Sequence, residues 1–219
     1  MGMNKNIKKL MFAVVAGSSG ALSCAEAAIV QLPEAVIYSG GPPPRLLQAK
    51  VGDSNIKIIP GLDFRITNRP KANGISKDYL ESQIRKTVTS YNPQTGLLTA
   101  STPKLAIGSV SAEVTVEIPN RANLAIRSLD GNISLERISV ESLAIETTDG
   151  NVDLTGIENS GKIQILTVDG NVSIRESSVG EISTEISGDG RFLDARTKKT
   201  SGPGILIVTT KDGNISVQE

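Results

Sequence analysis

Apolar and polar positions alternate through the second half of the chain, and the alternation breaks repeatedly on the same word. Asp130-Gly131-Asn132-Ile133-Ser134-Leu135 recurs as Asp149-Gly150-Asn151-Val152-Asp153-Leu154, as Asp169-Gly170-Asn171-Val172-Ser173-Ile174, and as Asp212-Gly213-Asn214-Ile215-Ser216-Val217. Aliphatic residues also stand six and four positions before each Asp, as Leu124/Ile126, Leu143/Ile145, Ile163/Ile165 and Leu206/Val208. A period of two sends the aliphatics to one face of a strand and Ser134, Asp153, Ser173 and Ser216 to the other. Each copy therefore predicts strand, tight corner, strand. No copy this short buries its own apolar face, but stacking successive copies, one on the next in chain order, makes continuous Ile/Val/Leu ladders. The expected fold class is all-β, a parallel β-solenoid with ~20-residue repeats, because the corner glycines fall at 131, 150, 170, 190 and 213.

The corner has its own chemistry. Glycine permits the positive φ of a sharp turn, and flanking Asp and Asn bond nearby backbone. Stacking is expected to align Asn132, Asn151, Asn171 and Asn214 as an amide ladder. It also aligns Asp130, Asp149, Asp169 and Asp212, whose charges must face solvent or be neutralised. Asp189-Gly190-Arg191-Phe192 is a degenerate copy. Keeping Ile182 inward requires one extra residue within Ile186–Gly190, a bulge, and Asp194 then takes the slot that Leu135, Leu154, Ile174 and Val217 fill elsewhere. The following stretch, Arg196 to Gly204 with Lys198 and Lys199, predicts a longer solvated loop.

Ahead of the repeats the pattern is less regular. Asn55–Ile59 and Asp63–Thr67 read as strands around Pro60-Gly61, and Ser76–Ile84 as a turn or two of helix. Thr87–Tyr91 and Leu97–Ala100 flank a turn and predict a hairpin. Lys104–Ile107 and Ala112–Ile118 alternate as strands, and Pro119 stops the second. Residues 46–118 are thus expected to be N-terminal strands capping the repeats of 119–219, together forming one domain over 46–219. The cluster Ser39-Gly40-Gly41-Pro42-Pro43-Pro44 makes 28–45 a Pro/Gly-rich linker without a core of its own.

The first 27 residues read as a signal peptide. Lys5, Lys8 and Lys9 precede a short apolar run from Leu10 to Ser23, too short to span a bilayer. Two processing sites compete. Ala25-Glu26-Ala27 suits ordinary cleavage before Ala28, whereas Ala21-Leu22-Ser23-Cys24 resembles a lipobox and makes Cys24 a candidate lipidation site. Ordinary cleavage is the preferred reading because the box lacks its usual leucine. An exported protein of the periplasm, outer membrane or cell surface, or one secreted, follows from either. Cleavage before Ala28 removes three lysines, Glu26 and the only cysteine, leaving a net charge of −2 and no disulfide.

Composition then narrows the function. With 23 basic and 23 acidic residues, nothing suggests nucleic acid as a partner. The chain has no histidine, so the commonest catalytic base and most transition-metal ligand sets are missing. No cofactor is implied. Carboxylate pairs, with Asp153 and Asp194 as the residues to test, leave a polysaccharide-active enzyme as the remaining catalytic alternative. The aspartate column also presents oxygen ligands to calcium, but the nine-residue calcium repeat is absent and a structural turn is the preferred reading.

Val114-Thr115-Val116-Glu117-Ile118-Pro119, Leu124-Ala125-Ile126 and the Asp-Gly-Asn-Ile/Val words together resemble a bacterial family of DUF4097-like β-strand repeat proteins, labelled "putative adhesin". The resemblance spans Asn55 to Val217 and implies an exported, right-handed parallel β-helix. It brings no catalytic residues. The sequence thus reads as a non-enzymatic cell-envelope module, adhesin-like, binding an unknown protein or glycan. A self-assembling scaffold, joined edge to edge through an exposed terminal strand, is the alternative.

Overall fold

The computed structural model describes residues 27–119, 121–178, 181–195 and 204–218. Cys24, Ala25, Glu26 and residues 196–203 of the longer loop lie outside the described residues. Along the chain come β1 (Ala28–Gln31), β2 (Ala35–Ser39), β3 (Leu47–Val51), β4 (Asn55–Pro60), β5 (Arg65–Gly74), α1 (Lys77–Ile84), β6 (Val88–Asn92), β7 (Leu97–Ser101) and β8 (Ser109–Ile118). The repeats supply β9 (Ala122–Ser128), β10 (Ile133–Glu136), β11 (Ser139–Thr147), β12 (Val152–Thr155), β13 (Glu158–Thr167), β14 (Val172–Arg175), β15 (Glu181–Ile186), β16 (Phe192–Asp194), β17 (Ile205–Thr210) and β18 (Ile215–Gln218).

These strands form two largely parallel sheets. One runs β1-β5-β8-β4-β10-β12-β14-β18-β16, with β2 also on β5, and the other runs β15-β17-β13-β11-β9-β3-β7-β6. Each pass of chain contributes one strand to each sheet, and the alternating aliphatics meet between them. Leu124, Ile126, Ile133, Leu135, Ile145, Leu154, Ile165, Ile174, Val208 and Val217 all belong to one continuous core. Ile133 lies beside Val152, Val152 beside Val172, and Val172 beside Ile215, so like residue covers like along the stack. Packing of this kind is the main favourable term in a chain with so few aromatics.

Three expectations need correction. First, residues 28–45 are not a linker without a core: β1 and β2 pair antiparallel with β5, and Val30 is buried with Ala72, Leu80, Ile84 and Val110. The proline cluster hides this, but Pro33 and Pro42–Pro44 fall between and after the strands, where no ladder needs their missing N–H. Second, residues 46–118 are not all cap. β3 and β4 form a full rung, parallel to β9 and β10, and β7 and β8 form another beyond it. The cap proper is β5, α1, β1, β2 and β6, closed by Tyr38, Phe64 and Tyr91 with ring centroids 4.9–5.7 Å apart. Lys104–Ile107 is not a strand.

Third, the copies do not stack in chain order. β18 pairs with β14 on one side and β16 on the other, and β17 likewise separates β13 from β15. The last copy therefore enters between the third and the degenerate fourth, which is displaced to the end. The residues supply the reason. The fourth copy puts Asp194 opposite Val217, Ile186 opposite Thr210 and Arg191 against Asn214, so it fits poorly between two regular rungs. Its extra residue sits in the corner between β15 and β16, as the pattern predicts: Ile182 and Phe192 match Leu206 and Ile215.

Candidate functional site

The Asp-Gly-Asn corners converge into one edge of the stack. Asn151 Nδ2 donates to Asn132 Oδ1 at 3.2 Å, Asn171 Nδ2 to Asn151 Oδ1 at 3.1 Å, and Asn214 Nδ2 to Asn171 Oδ1 at 3.0 Å. The backbone N–H groups of Asn151, Asn171 and Asn214 donate to the same oxygens. The ladder is longer than the repeats imply. Asn132 N–H donates to Asn55 Oδ1 at 2.9 Å, and Arg191 N–H to Asn214 Oδ1 at 3.2 Å. Asn55 was legible only through its context, Asn55-Ile56-Lys57-Ile58, since Ser54 stands where the other corners have glycine.

Glycine's role differs from the expected one. None of Gly131, Gly150, Gly170 and Gly213 has a positive φ. A Cβ on any of them would instead overlap the carbonyl oxygen of the preceding rung: Ser54, Gly131, Gly150 and Gly170 in turn. Close approach of stacked backbones excludes the side chain. Within the described repeats the left-handed residues belong to the opposite corner, at Arg137 (φ 51°), Gly156 (φ 64°) and Glu176 (φ 49°). There Arg137 N–H donates to Thr155 O and Gly156 N–H to Arg175 O, at 2.8 and 2.9 Å.

A buried hydroxyl column completes the corner and was missed from sequence. Ser128, Thr147, Thr167 and Thr210 each stand three residues before the glycine and accept its N–H at 3.0–3.2 Å. Each donates to a carbonyl of the rung before, Gly52, Leu129, Thr148 and Val168 respectively. The signal was present as Ser/Thr-x-x-Gly, but periodicity alone does not ask where a buried glycine N–H goes.

The aspartates point to solvent. Asp130, Asp149, Asp169 and Asp212 are all exposed. Asp212 Oδ1 also accepts the Asp189 N–H at 3.2 Å, which together with the Lys211 ammonium holds its carboxyl below the ordinary aspartate range. Among the described residues no three acidic side chains group to hold a metal ion. Asp153 and Asp194 are not brought together. They are separated by β14 and β18, roughly 14 Å at the usual strand spacing, and Asp153 is paired to Arg175 at 2.6 Å.

Both outer faces are open sheet surfaces. On the first sheet, a shallow polar depression of about 410 Å³ is lined by Ser134, Glu136, Arg137, Asp153, Arg175 and Glu176. On the second, Ala125 and Ala144 form the floor of a furrow of about 240 Å³ walled by Arg127, Glu146, Gln164 and Leu166. Among the described residues no helix is long and apolar enough to cross a membrane.

No curated protein matches the chain. Among solved structures, a "putative cell adhesion protein" from Clostridium sporogenes aligns at TM-score 0.62 and 13% identity, covering 87% of this chain and 99% of its own. A "putative adhesin" from Bacteroides fragilis aligns at TM-score 0.33 and 10% identity, over 88% of this chain and 96% of its own. At these identities the first likeness concerns the fold. The family model described as Toastrack DUF4097 matches residues 23–218, nearly the whole chain, and the chain belongs to that family.

Proposed function

We propose that this protein is an exported, non-enzymatic module of the cell envelope that presents the flat outer face of its first sheet to a partner protein or glycan. The observation that carries the reading is the regular display of outward side chains on a stiff stack. Ser134, Asp153, Ser173 and Ser216 form one column, and Glu136, Thr155, Arg175 and Gln218 the next, with each member one strand spacing from its neighbour. Such columns, fixed by the amide and hydroxyl ladders at the adjoining corner, are preorganised, so a ligand that meets them orders little. The "putative cell adhesion protein" of similar fold supports the same reading. The signal peptide of residues 1–27 supplies the export route, with Cys24 as the alternative lipid anchor. The fold belongs with right-handed solenoids whose copies run ~20 residues.

The test is protease shaving of intact cells carrying a cleavable tag between Gln94 and Thr95, in the exposed turn from β6 to β7. Cleavage on intact cells is the expected result and fits surface display. Protection until the outer envelope is opened would make the protein periplasmic and put a scaffold role ahead of adhesion.

A further inference from the structure

The outer face of the second sheet is graded along the stack. Over the six strands from β15 to β3, its outward residues fall in three columns that the strand register defines, and β7 and β6 continue the sheet beyond β3. One reads Gln48, Ala125, Ala144, Gln164, Ile207, Ser183, and the next Lys50, Arg127, Glu146, Leu166, Thr209, Glu185. The third holds Asn123, Ser142, Lys162, Ile205 and Glu181. The β3 side of this six-strand patch is basic, with Lys50 and Arg127 exposed, and its β15 edge is acidic, with Glu181 and Glu185 exposed. Between them lie the alanine-floored furrow and an apolar ridge, in which Leu166 is 44% and Ile205 46% exposed.

From this grading we infer that the second sheet's outer face receives a second copy of this chain, stacked face to face about a two-fold axis. Place the axis along the strands, midway between β11 and β13. Each column then meets itself in reverse order. Lys50 opposes Glu185 of the other copy, the Ile207 ridge enters the furrow at Ala125, and Ile205 covers Asn123. A two-fold along the stack instead brings Glu181 against Glu185, like charge on like, so charge selects the first arrangement. Arg127 is already bonded to Glu146 at 2.9 Å within its own copy, which leaves Lys50 and Glu185 as the discriminating pair. Six strands at about 4.8 Å and three columns cover roughly 600 Å² per copy, about 1,200 Å² in total. That is the lower end of stable interfaces, so the dimer should be reversible, with a dissociation constant on the order of micromolar.

Sedimentation equilibrium of the purified protein, across about 1–500 μM, tests this. The expected result is a monomer–dimer equilibrium that weakens on raising the salt concentration. Ala144→Arg, an exposed position that fills the furrow, should abolish the dimer while leaving thermal unfolding in place. Lys50→Glu should weaken association about 10-fold or more, and Lys50→Glu with Glu185→Lys should restore it. A monomer throughout would overturn the inference. So would a dimer indifferent to Ala144→Arg, or one that the paired reversal fails to restore.

Discussion

At the residue scale the stack depends on small groups that leave room and bond completely. Gly150 carries no side chain because the Gly131 carbonyl occupies the space a Cβ needs, whereas Asp149 beside it is exposed. Gly150→Ala should therefore cost about 3 kcal/mol or more, since neighbouring rungs must part. Asp149→Ala should change stability by less than ~0.5 kcal/mol. Urea unfolding of the two variants measures the contrast, and equal effects would refute the close-approach account. The hydroxyl column gives a second test. Thr167 accepts the Gly170 N–H at 3.0 Å in a site only 2% exposed. Thr167→Val keeps the shape but strands that N–H, a loss of about 1–3 kcal/mol. Thr167→Ser, which retains the hydroxyl, should recover most of it. The amide ladder was legible in the sequence because identical residues at equivalent positions must meet when copies stack. The hydroxyl column was not, because Ser128, Thr147, Thr167 and Thr210 continue the strand alternation as ordinary inward residues and only the unpaired glycine N–H reveals their task.

At the element scale, rung order is the property that pattern recognition handled least well. Alternation and corner words identified the strands from β9 to β18, and the extra residue in the fourth copy, because both are local. The order of stacking is a competition among copies. The interior place goes to the copy with Val217 and Thr210 rather than the one with Asp194 and Ile186. The N-terminal end shows the same limit: β3 and β4 join the stack beside β9 and β10, although some sixty residues of chain intervene. Cysteine pairs distinguish the orders directly, since the chain has a single native cysteine, Cys24. Ser173 and Ser216 are register partners on adjacent strands, about 4.8 Å apart, whereas Ser173 and Leu193 are two strands apart, about 9.6 Å. Ser173→Cys with Ser216→Cys should oxidise to an intramolecular disulfide, because the separation lies within the usual Cα range. Ser173→Cys with Leu193→Cys should stay reduced. Stacking in chain order requires the opposite outcome, so a non-reducing gel decides between them.

At the scale of the whole molecule, a stack of rungs is only as secure as its ends. The N-terminal end is closed by α1, which buries Leu80 and Ile84, and by the Tyr38–Phe64–Tyr91 cluster. The other end rests on the displaced fourth copy, where Phe192 remains 42% exposed and Leu193 57%. That copy is held partly by polar bonds to the last rung, including the Asp189 N–H on Asp212 and the Arg191 N–H on Asn214. Because Asp212 has its folded pKa lowered, its contribution is fully present above the ordinary aspartate value of about 3.9. It is lost as pH falls below that value and through the lower folded one. Acid should therefore loosen the terminal rung before the interior ones, whose ladder bonds join uncharged amides. Hydrogen exchange read by mass spectrometry, corrected for the intrinsic pH dependence of exchange, should show protection of the 187–195 segment falling below about pH 4. Over the same range the segments around Asn151 and Asn171 should hold their protection. In Asp212→Asn the acid dependence at 187–195 should vanish, since an amide oxygen accepts the Asp189 N–H without titrating. Loss of protection spread evenly over all rungs would instead mean that the end is no weaker than the middle, and that the stack opens as one unit.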